Sequence, residues 1–298
     1  MIWTSRMADR LAPSRREILR SLAPGHLIQP ATALWRVYEI EAVRLHAPLT
    51  GRVLDLGCGD GSLSRVIFDG IRDVTVVGLE PDATDAADAR RSGVYVDVHC
   101  APGDAVPEPD ATFDTVFSNS VLEHIPSIEP VLAESARVLK AGGRFVATVP
   151  SDEFHASRGS SLWYSALARL HGQTEAEAID ERLAHHRYWS PEDWRGALAA
   201  AGLSLESVRR YLPSKVMRSW QRMSNATGGL AFELFQRRAT TRGAQRRMGL
   251  SAVTEHLSAA AQARLLELAI GRACETPPDV GDSPSGGLLV VATRRASA

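Results

Sequence analysis

A glycine-rich segment follows the first strongly apolar run of the chain. Residues 53–61 are Val-Leu-Asp-Leu-Gly-Cys-Gly-Asp-Gly. Glycines between an apolar strand and a helix let a ligand approach the backbone closely, so this turn is the first candidate binding site. The dinucleotide-binding pattern G-x-G-x-x-G would need a glycine at position 62, where the chain has Ser62. The spacing therefore argues against a pyrophosphate-binding turn.

Acidic residues accompany the turn and indicate the charge of its ligand. Asp55 and Asp60 lie within the glycine segment, and Glu80 ends the next apolar run. Carboxylates there would repel a pyrophosphate, whereas they suit a ligand that carries an ammonium or a sulfonium group. A carboxylate at the end of the second strand can also accept hydrogen bonds from both hydroxyls of a ribose. The combination predicts a cationic nucleoside as the ligand, with helix capping as the alternative role for Asp60.

A sheet must position these residues, and the hydrophobic pattern predicts one. Seven apolar, strand-like runs occur at 52–56, 74–79, 94–99, 113–118, 144–149, 203–210 and 287–293. Helices are expected at 61–69, 82–91 and 127–139, and Ser190-Pro191-Glu192-Asp193 predicts a capped helix that ends at Gly202. This alternation predicts an α/β fold with a doubly wound, mostly parallel, seven-stranded sheet.

A long insertion separates the last two predicted strands. It contains helix-like sequence at 215–238 and 251–271, so we expect a helical insertion before the final strand. Residues 206–272 carry twelve Arg or Lys against four Glu, whereas residues 51–150 carry eight against sixteen acids. Opposite charge suits mutual attraction of the two regions, and it equally suits an anionic substrate or membrane surface.

The insertion interleaves apolar and cationic side chains. We expect it to form the wall of an acceptor pocket, with peripheral membrane contact as the second interpretation. The residues on which this expectation rests are Trp220, Met223, Leu230, Phe232, Leu234, Phe235, Arg218, Arg222, Arg237, Arg238, Arg242, Arg246 and Arg247.

Composition sets the broad class of the protein. The 298 residues are 44% hydrophobic and 23% charged, which excludes a mostly disordered or collagen-like chain. A formal net charge of −1 provides no chain-wide basic field, so no nucleic-acid partner is expected. Cys58, Cys100 and Cys274 are widely separated, which disfavours a disulfide framework and favours a cytoplasmic location. No apolar run approaches the roughly 20 residues that span a bilayer.

The motifs together resemble the class I S-adenosylmethionine-dependent methyltransferases, especially the methyltransferase type 11 domains. Residues 53–61 resemble the first motif of the family, and Gly-Leu-Glu-Pro-Asp at 78–82 resembles the second. Residues 103–125 are similar to the adenine-contacting and fourth-strand segments, and residues 137–151 to the helix, turn and fifth strand that follow. The resemblance implies a Rossmann-like methyltransferase fold with S-adenosylmethionine as the cofactor.

The resemblance also implies a set of cofactor-binding residues. In that set the first-motif residues surround the methionine part, the acid after the second strand holds the ribose, and the residue after the fourth strand borders the sulfonium. Asp104 and Ala105 face the adenine. Tyr38 lies on a helix that closes over the cofactor in relatives, although Trp35 and Tyr38 are spaced equally well for core packing. The full set is Tyr38, Asp55, Gly57, Cys58, Gly59, Glu80, Pro81, Asp104, Ala105 and Asn119.

Histidines are the candidate general bases of the implied reaction. Methyl transfer from a sulfonium is a one-step displacement, so orientation and exclusion of water supply most of the catalysis, and a base is optional. For a hydroxyl acceptor the candidates are His124, His155 and His186, with His185 beside the last. His124 could instead position a helix, and His155 could be an ordinary loop residue. No further ligands accompany the histidine pair at suitable spacing, so no metal is expected.

The expected function is methyl transfer to a small molecule, a glycan or a lipid-linked intermediate, most simply on oxygen. Transfer to nitrogen or carbon, and a non-catalytic S-adenosylmethionine-binding protein, are the alternatives. Ser62 disfavours a dehydrogenase, and Phe-Ser-Asn-Ser-Val at 117–121 lacks the Asn-Pro-Pro-Tyr type of tetrapeptide expected of a nucleic-acid base methyltransferase. The expected domains are an N-terminal helical cap at 1–50, the cofactor-binding core at 51–211, the helical insert at 212–280 and the final strand at 281–298.

Overall fold

A seven-stranded sheet lies within residues 13–234, 256–277 and 284–295, which the computed structural model describes. Its strands are β1 Gly51–Leu56, β2 Val74–Leu79, β3 Asp97–His99, β4 Phe113–Asn119, β5 Leu139–Pro150, β6 Leu203–Pro213 and β7 Ser285–Arg294. Their order is β3-β2-β1-β4-β5-β7-β6. Strands β1 to β5 pair in parallel, and β7 runs antiparallel to β5. The predicted doubly wound, mostly parallel sheet is confirmed.

Strand β1 occupies the middle of the sheet. Val53 pairs with Val76 of β2 on one side and with Thr115 of β4 on the other. Strands β2 and β3 lie on one side of β1, and β4 and β5 lie on the other. The carboxyl end of β1 is therefore the point at which the strand order reverses. Open α/β sheets bind ligands at this point. The glycine turn that begins at Gly57 lies there.

Helices connect the strands, and polar caps fix where several of them begin. The Ser190 hydroxyl oxygen accepts a hydrogen bond from the backbone amide of Asp193, and the Asp193 carboxylate accepts one from the backbone amide of Ser190, as predicted. The helices are α1 Arg15–His26, α2 Pro30–His46, α3 Ser62–Phe68, α4 Ala83–Arg91, α5 Glu129–Val138, α6 Phe154–Ser157, α7 Leu162–Leu170, α8 Glu175–Leu183, α9 Pro191–Ala200, α10 Ser214–Ser224, α11 Leu230–Leu234 and α12 Ala259–Cys274. A 3₁₀ turn spans Leu122–His124.

Two strands begin elsewhere than predicted. Strand β3 begins at Asp97 rather than at residue 94, because the Tyr95 side chain turns inward to a hydrogen bond with Asp55. Strand β5 begins at Leu139 rather than at residue 144, because Leu139 already pairs with Phe113 before the register shifts. Both differences arise from pairings between distant parts of the chain.

Helices α6 to α8 follow β5, where the sequence analysis identified no element. The start of α8 is nevertheless visible in the sequence. Thr174 accepts a hydrogen bond from the Glu177 backbone at 3.2 Å, and the Glu177 carboxylate accepts one from the Thr174 backbone at 2.8 Å. This reciprocal pair needs only a Thr and a Glu three residues apart, a spacing typical of a helix start.

The described residues of the segment between β6 and β7 are mostly helical, which agrees with the prediction where it falls on them. They comprise α10, a π-helical turn at Asn225–Gly229, α11 and α12. Trp220 and Phe232 are buried, whereas Arg218 and Arg222 are exposed. The part of the expectation that falls on Phe235, Arg237, Arg238, Arg242, Arg246 and Arg247 lies outside the described residues.

The described chain forms two compact units. The first contains the described residues up to 41, residues 153–186 and those between 211 and 286; the second contains 42–152, 187–210 and those from 287 onward. The second unit holds an apolar core in which Phe113, Phe145 and Trp194 are almost completely buried. The four-part domain division expected from the sequence stays a prediction.

The first unit has an aromatic cluster of its own. Trp35 lies 6.0 Å from Phe154, 6.1 Å from Tyr211 and 5.9 Å from Trp220, measured between ring centroids. Tilted and edge-on rings at such distances are favourable contacts beyond the area they bury. Among the helices of the described ranges, none has the length and apolar character needed to cross a membrane.

Candidate functional site

The turn after β1 owes its shape to glycines with positive φ. Gly57, Gly59 and Gly61 have φ values of 78°, 56° and 76°, a region that side-chain-bearing residues enter at a cost. The backbone amides of Gly57 and Cys58 donate to the Leu79 carbonyl at the end of β2, at 2.8 and 3.1 Å. The turn is thereby fastened to the neighbouring strand, and α3 begins directly after it.

Gly57 also lacks the space for a side chain. A Cβ atom built there would lie 2.6 Å from both methyl groups of Val121, which belongs to the segment after β4. Real Cβ atoms do not approach other atoms so closely, so the turn and that segment meet because position 57 is a glycine. The candidate site is therefore bordered by two separate loops of the second unit.

Replacement of Gly57 by alanine tests this close approach. Gly57→Ala is expected to weaken S-adenosylhomocysteine binding at least tenfold and to lower the free energy of unfolding by roughly 2 to 4 kcal/mol, since backbone strain and overpacking add. Gly93→Ala is the matched control, because Gly93 has the same φ of 78° with nothing within 4 Å of the added Cβ. Gly93→Ala should lower the free energy of unfolding by only about 1 to 2 kcal/mol and leave S-adenosylhomocysteine binding unchanged. Equal effects of the two variants on binding would contradict the assignment.

Glu80 directs its carboxylate at the same turn. It follows the last residue of β2, and its Oε2 accepts a hydrogen bond from the backbone amide of Gly59 at 2.9 Å. Its Oε1 accepts one from the backbone amide of Asp82 at 3.0 Å. Each carboxylate oxygen can accept a further hydrogen bond, so the group retains capacity for a ligand hydroxyl. Glu80 and the glycines therefore lie together, as the sequence predicted.

Asp55 is buried and held by two hydroxyl groups. Its Oδ2 accepts hydrogen bonds from Ser64 Oγ at 2.6 Å and from the Tyr95 hydroxyl at 2.8 Å. Burial raises the pKa of Asp55 to about 6, although these two hydrogen bonds lower it, and the charge of Glu80 raises it further. The carboxylate therefore ties β1 to α3 and to the segment before β3. Its contact with the methionine part of a cofactor stays a prediction.

The raised pKa of Asp55 predicts a pH-dependent stability. The folded state binds the proton more tightly than the unfolded chain, whose Asp has a pKa of about 3.9, so the folded state loses stability as pH rises from about 4 to 6. Asp55→Asn removes this loss. The variant should gain roughly 2 to 3 kcal/mol relative to the parent between pH 4 and pH 7, measured by urea unfolding. A difference between the two proteins that is constant with pH would refute the raised pKa.

Sequence reasoning missed Tyr95 as part of this region. Its ring packs with Cys58, Ala86, Ala89 and Val98 beside the turn. Burial raises the pKa values of the Tyr95 hydroxyl and the Cys58 thiol above their ordinary ranges. The alternating residues 94–99 indicated a continuous strand, which concealed the inward turn of Tyr95.

Four other residues expected near the cofactor lie in the second unit, three of them in loops and one at a strand end. Asp104 and Ala105 are exposed in the loop between β3 and β4, and Pro81 is exposed after β2. Asn119, at the end of β4, accepts a hydrogen bond from Thr148 Oγ1 at 3.3 Å. Asp60 accepts hydrogen bonds from the backbone amide and the hydroxyl of Ser62, whereas Gly61 is the N-cap residue of α3.

Tyr38 lies in the first unit. It is buried, and its hydroxyl lies 2.7 Å from the Ala273 carbonyl oxygen and 2.9 Å from that of Thr276. The Arg15 guanidinium stacks 4.2 Å from the centre of its ring. These contacts match the core-packing alternative, and a contact of Tyr38 with a cofactor stays a prediction.

The four candidate histidines divide between the units. His124 belongs to the second unit, in the 3₁₀ turn after β4, where 43% of its side chain is exposed. His155, in the first unit, accepts a hydrogen bond from Arg158 on Nδ1 at 3.0 Å and places Nε2 3.0 Å from an Asp180 carboxylate oxygen. His185 packs on Phe154, whereas His186 is exposed. The neighbouring histidines thus point in different directions, as expected of an extended chain.

Comparisons with known proteins agree with this geometry. A family model described as a methyltransferase domain matches residues 54–147. An uncharacterized methyltransferase of Schizosaccharomyces pombe is 33% identical over 189 residues, which are 59% of this chain and 70% of the relative. A ubiquinone biosynthesis O-methyltransferase of Xylella fastidiosa is 34% identical over 198 residues, or 64% and 74% of the two chains. The corresponding enzyme of Agrobacterium fabrum is 34% identical over 112 residues, which cover 44% of its length.

Solved structures share the fold at low sequence identity. The cyclase SpnF aligns with a TM-score of 0.54 and 16% identity over 96% of this chain and 98% of its own. A possible histamine N-methyltransferase of Thermotoga maritima aligns with a TM-score of 0.52 and 18% identity over 89% and 91% of the two chains. These similarities concern the fold alone, since one such fold carries different reactions.

Proposed function

The chain belongs to the class I S-adenosylmethionine-dependent methyltransferases, and from this premise we propose that it methylates a hydroxyl group of a small-molecule, glycan or lipid-linked acceptor. The observation that supports the proposal is the glycine turn whose Gly59 amide donates to the Glu80 carboxylate, because it brings a tight backbone turn and a hydrogen-bond acceptor suited to ribose hydroxyls to one place. Relatives named as O-methyltransferases support oxygen as the atom that receives the methyl group.

The residues around the turn fit the cofactor of this family. Gly57 and Gly59 give the chain its tight turn at the end of β1, where the turn would hold the methionine part, and Glu80 would accept hydrogen bonds from the ribose hydroxyls. Asp104 and Ala105 would border the adenine, and Asn119 would border the sulfonium. S-adenosylmethionine supplies a methyl group that is already activated, so the chain has to orient the acceptor and exclude water.

His124 is the histidine that we propose as general base. It follows β4 in the unit that contains the glycine turn, and its neighbour Val121 packs against Gly57. His155 is less suited, because the Nδ1 lone pair accepts a hydrogen bond from Arg158 and Nε2 faces a carboxylate. Acceptor recognition by the insertion, its contact with a membrane and a cytoplasmic location stay predictions.

Transfer of a labelled methyl group tests the proposal. The purified protein would be incubated with S-adenosylmethionine labelled in the methyl group and with separate sets of phenols, aliphatic alcohols and amines. We expect labelled products from hydroxyl compounds, with the label located on oxygen by mass spectrometry. Labelling confined to nitrogen or carbon would contradict the proposed acceptor, and failure to bind S-adenosylhomocysteine in calorimetry would contradict the cofactor site itself.

A further inference from the structure

The segment after β4 is anchored at its start by β5. The backbone amide of Ser120 donates to the Thr148 carbonyl at 2.9 Å, and it lies 3.1 Å from Thr148 Oγ1. Ser120 has a φ of 51°, an uncommon value for a residue with a side chain. The chain then enters the 3₁₀ turn, in which the His124 amide donates to the Val121 carbonyl at 2.9 Å. These contacts fix where the segment leaves the sheet.

Arg187 anchors the far side of the same segment. Its Nη1 donates to the Leu122 carbonyl, and its Nη2 donates to the Pro126 carbonyl at 2.8 Å. One planar guanidinium thus holds both ends of the stretch 122–126 through two different nitrogens. A lysine has a single ammonium nitrogen and lacks this fixed two-nitrogen geometry.

Aromatic rings hold Arg187 itself in place. The guanidinium stacks 5.2 Å from the ring centre of Trp189, and this ring lies edge-on to Trp194 at 5.0 Å. Trp194 is buried in the core of the second unit. Arg187 is therefore also connected to the core and to α9 through these two rings.

Charge also links Arg187 to this segment. Burial lowers the pKa of Arg187, while the charges of Glu129 and Glu123 raise it. Glu123 belongs to the 3₁₀ turn, and only 3% of its side chain is exposed. Arg187 stays protonated despite the lowered pKa, since a guanidinium does not lose its proton in proteins. It therefore supplies positive charge near a buried carboxylate of the segment.

We infer that Arg187 is a positioning residue of the cofactor site, which acts through the 122–126 segment to hold Val121 against Gly57. The contacts run from the core through Trp189 and Arg187 to the Leu122 carbonyl, and Val121 immediately precedes Leu122 in the chain. Val121 in turn meets the glycine turn at its closest point. This inference rests on the proposed function, in which that turn binds S-adenosylmethionine.

The experiment compares Arg187→Met, Arg187→Lys and the control Arg195→Met. Arg195 lies on α9 of the same unit, is more than half exposed and pairs with Glu192. Calorimetry with S-adenosylhomocysteine would be run at a temperature at which urea unfolding shows every variant to be folded. Arg187→Met should bind about tenfold more weakly, because the hydrogen bonds of a charged group to the segment are lost. Arg187→Lys should recover about half of that loss on a logarithmic scale, and Arg195→Met should match the parent.

Hydrogen exchange measures the anchoring directly, without any ligand. Amides of residues 121–125 should exchange at least tenfold faster in Arg187→Met than in the parent, while β1 keeps its protection. Unchanged exchange there would overturn the inference, as would faster exchange with unaltered affinity for S-adenosylhomocysteine. A parent protein that binds no S-adenosylhomocysteine would overturn the proposed function and this inference together, whereas a binding parent with an equally tight Arg187→Met overturns the inference alone.

Discussion

Glu80→Ala is expected to weaken S-adenosylhomocysteine binding by a factor between about 10² and 10⁴, since two charge-assisted hydrogen bonds to ribose hydroxyls are worth roughly 1.5 to 3 kcal/mol each. The variant also frees the Gly59 amide, which the carboxylate holds at 2.9 Å. Calorimetry measures the loss. Glu80→Gln retains one acceptor oxygen without the charge, so it should fall between the parent and Glu80→Ala.

Asp82→Ala separates ribose binding from local unfolding. Asp82 caps α4 by accepting hydrogen bonds from the backbone amides of Thr84 and Asp85, at 2.8 and 3.0 Å. Its loss should cost about 1 kcal/mol of stability, comparable with other capping residues, while the Glu80 carboxylate stays in place. We expect Asp82→Ala to keep its affinity within about threefold. If Glu80→Ala also stays within that limit, Glu80 does not hold the ribose.

His124→Gln should slow methyl transfer to a hydroxyl acceptor by about 10² to 10⁴, the usual contribution of a general base. Single-turnover rates at saturating acceptor, with an acceptor found in the labelling experiment, isolate the chemical step. The affinity for S-adenosylhomocysteine should stay close to that of the parent, because the proposed role concerns the acceptor proton and not the cofactor.

The remaining histidines supply controls for the His124 prediction. His186 is exposed and belongs to the first unit, so His186→Gln should leave the rate nearly unchanged. His155→Gln would break the contacts with Arg158 and Asp180 and should mainly lower stability. His185→Gln completes the set, and rates within about threefold of the parent for all four variants would mean that orientation alone carries the catalysis and that none of these four histidines acts as base.

Local patterns in the sequence predicted the sheet and the centre of the candidate site. The apolar runs of β1 and β2 are followed by Gly57 and Glu80. The carboxyl ends of parallel strands meet at one edge of a sheet, so these two residues were expected to lie close together. The helix opened by Ser190 was predicted for the same reason, since its cap uses residues three apart. These features need only neighbours in the chain or the regular geometry of a sheet.

Contacts between distant side chains were beyond such patterns. Tyr95 reaches Asp55 across forty positions, and nothing in the alternation around Tyr95 distinguishes an inward turn from a strand. Arg187 directly follows His185 and His186, for which the sequence predicted a role because imidazoles do acid–base chemistry. It predicted none for Arg187. The proposed role of Arg187 depends on hydrogen bonds to two backbone carbonyls some sixty residues earlier. Every residue has a backbone carbonyl, so no pattern of residue types reveals these partners.

The place of β7 in the sheet has a consequence for synthesis on the ribosome. Strand β7 lies between β5 and β6, although it comes last in the chain. When β6 has been translated, its partner strand does not yet exist, and at about 5 to 20 residues per second it follows roughly 4 to 15 s later. During that interval the β5 edge and the β6 strand present unpaired backbone groups, which other chains can bind. We therefore expect these backbone groups to need protection in the nascent protein until the final strand emerges.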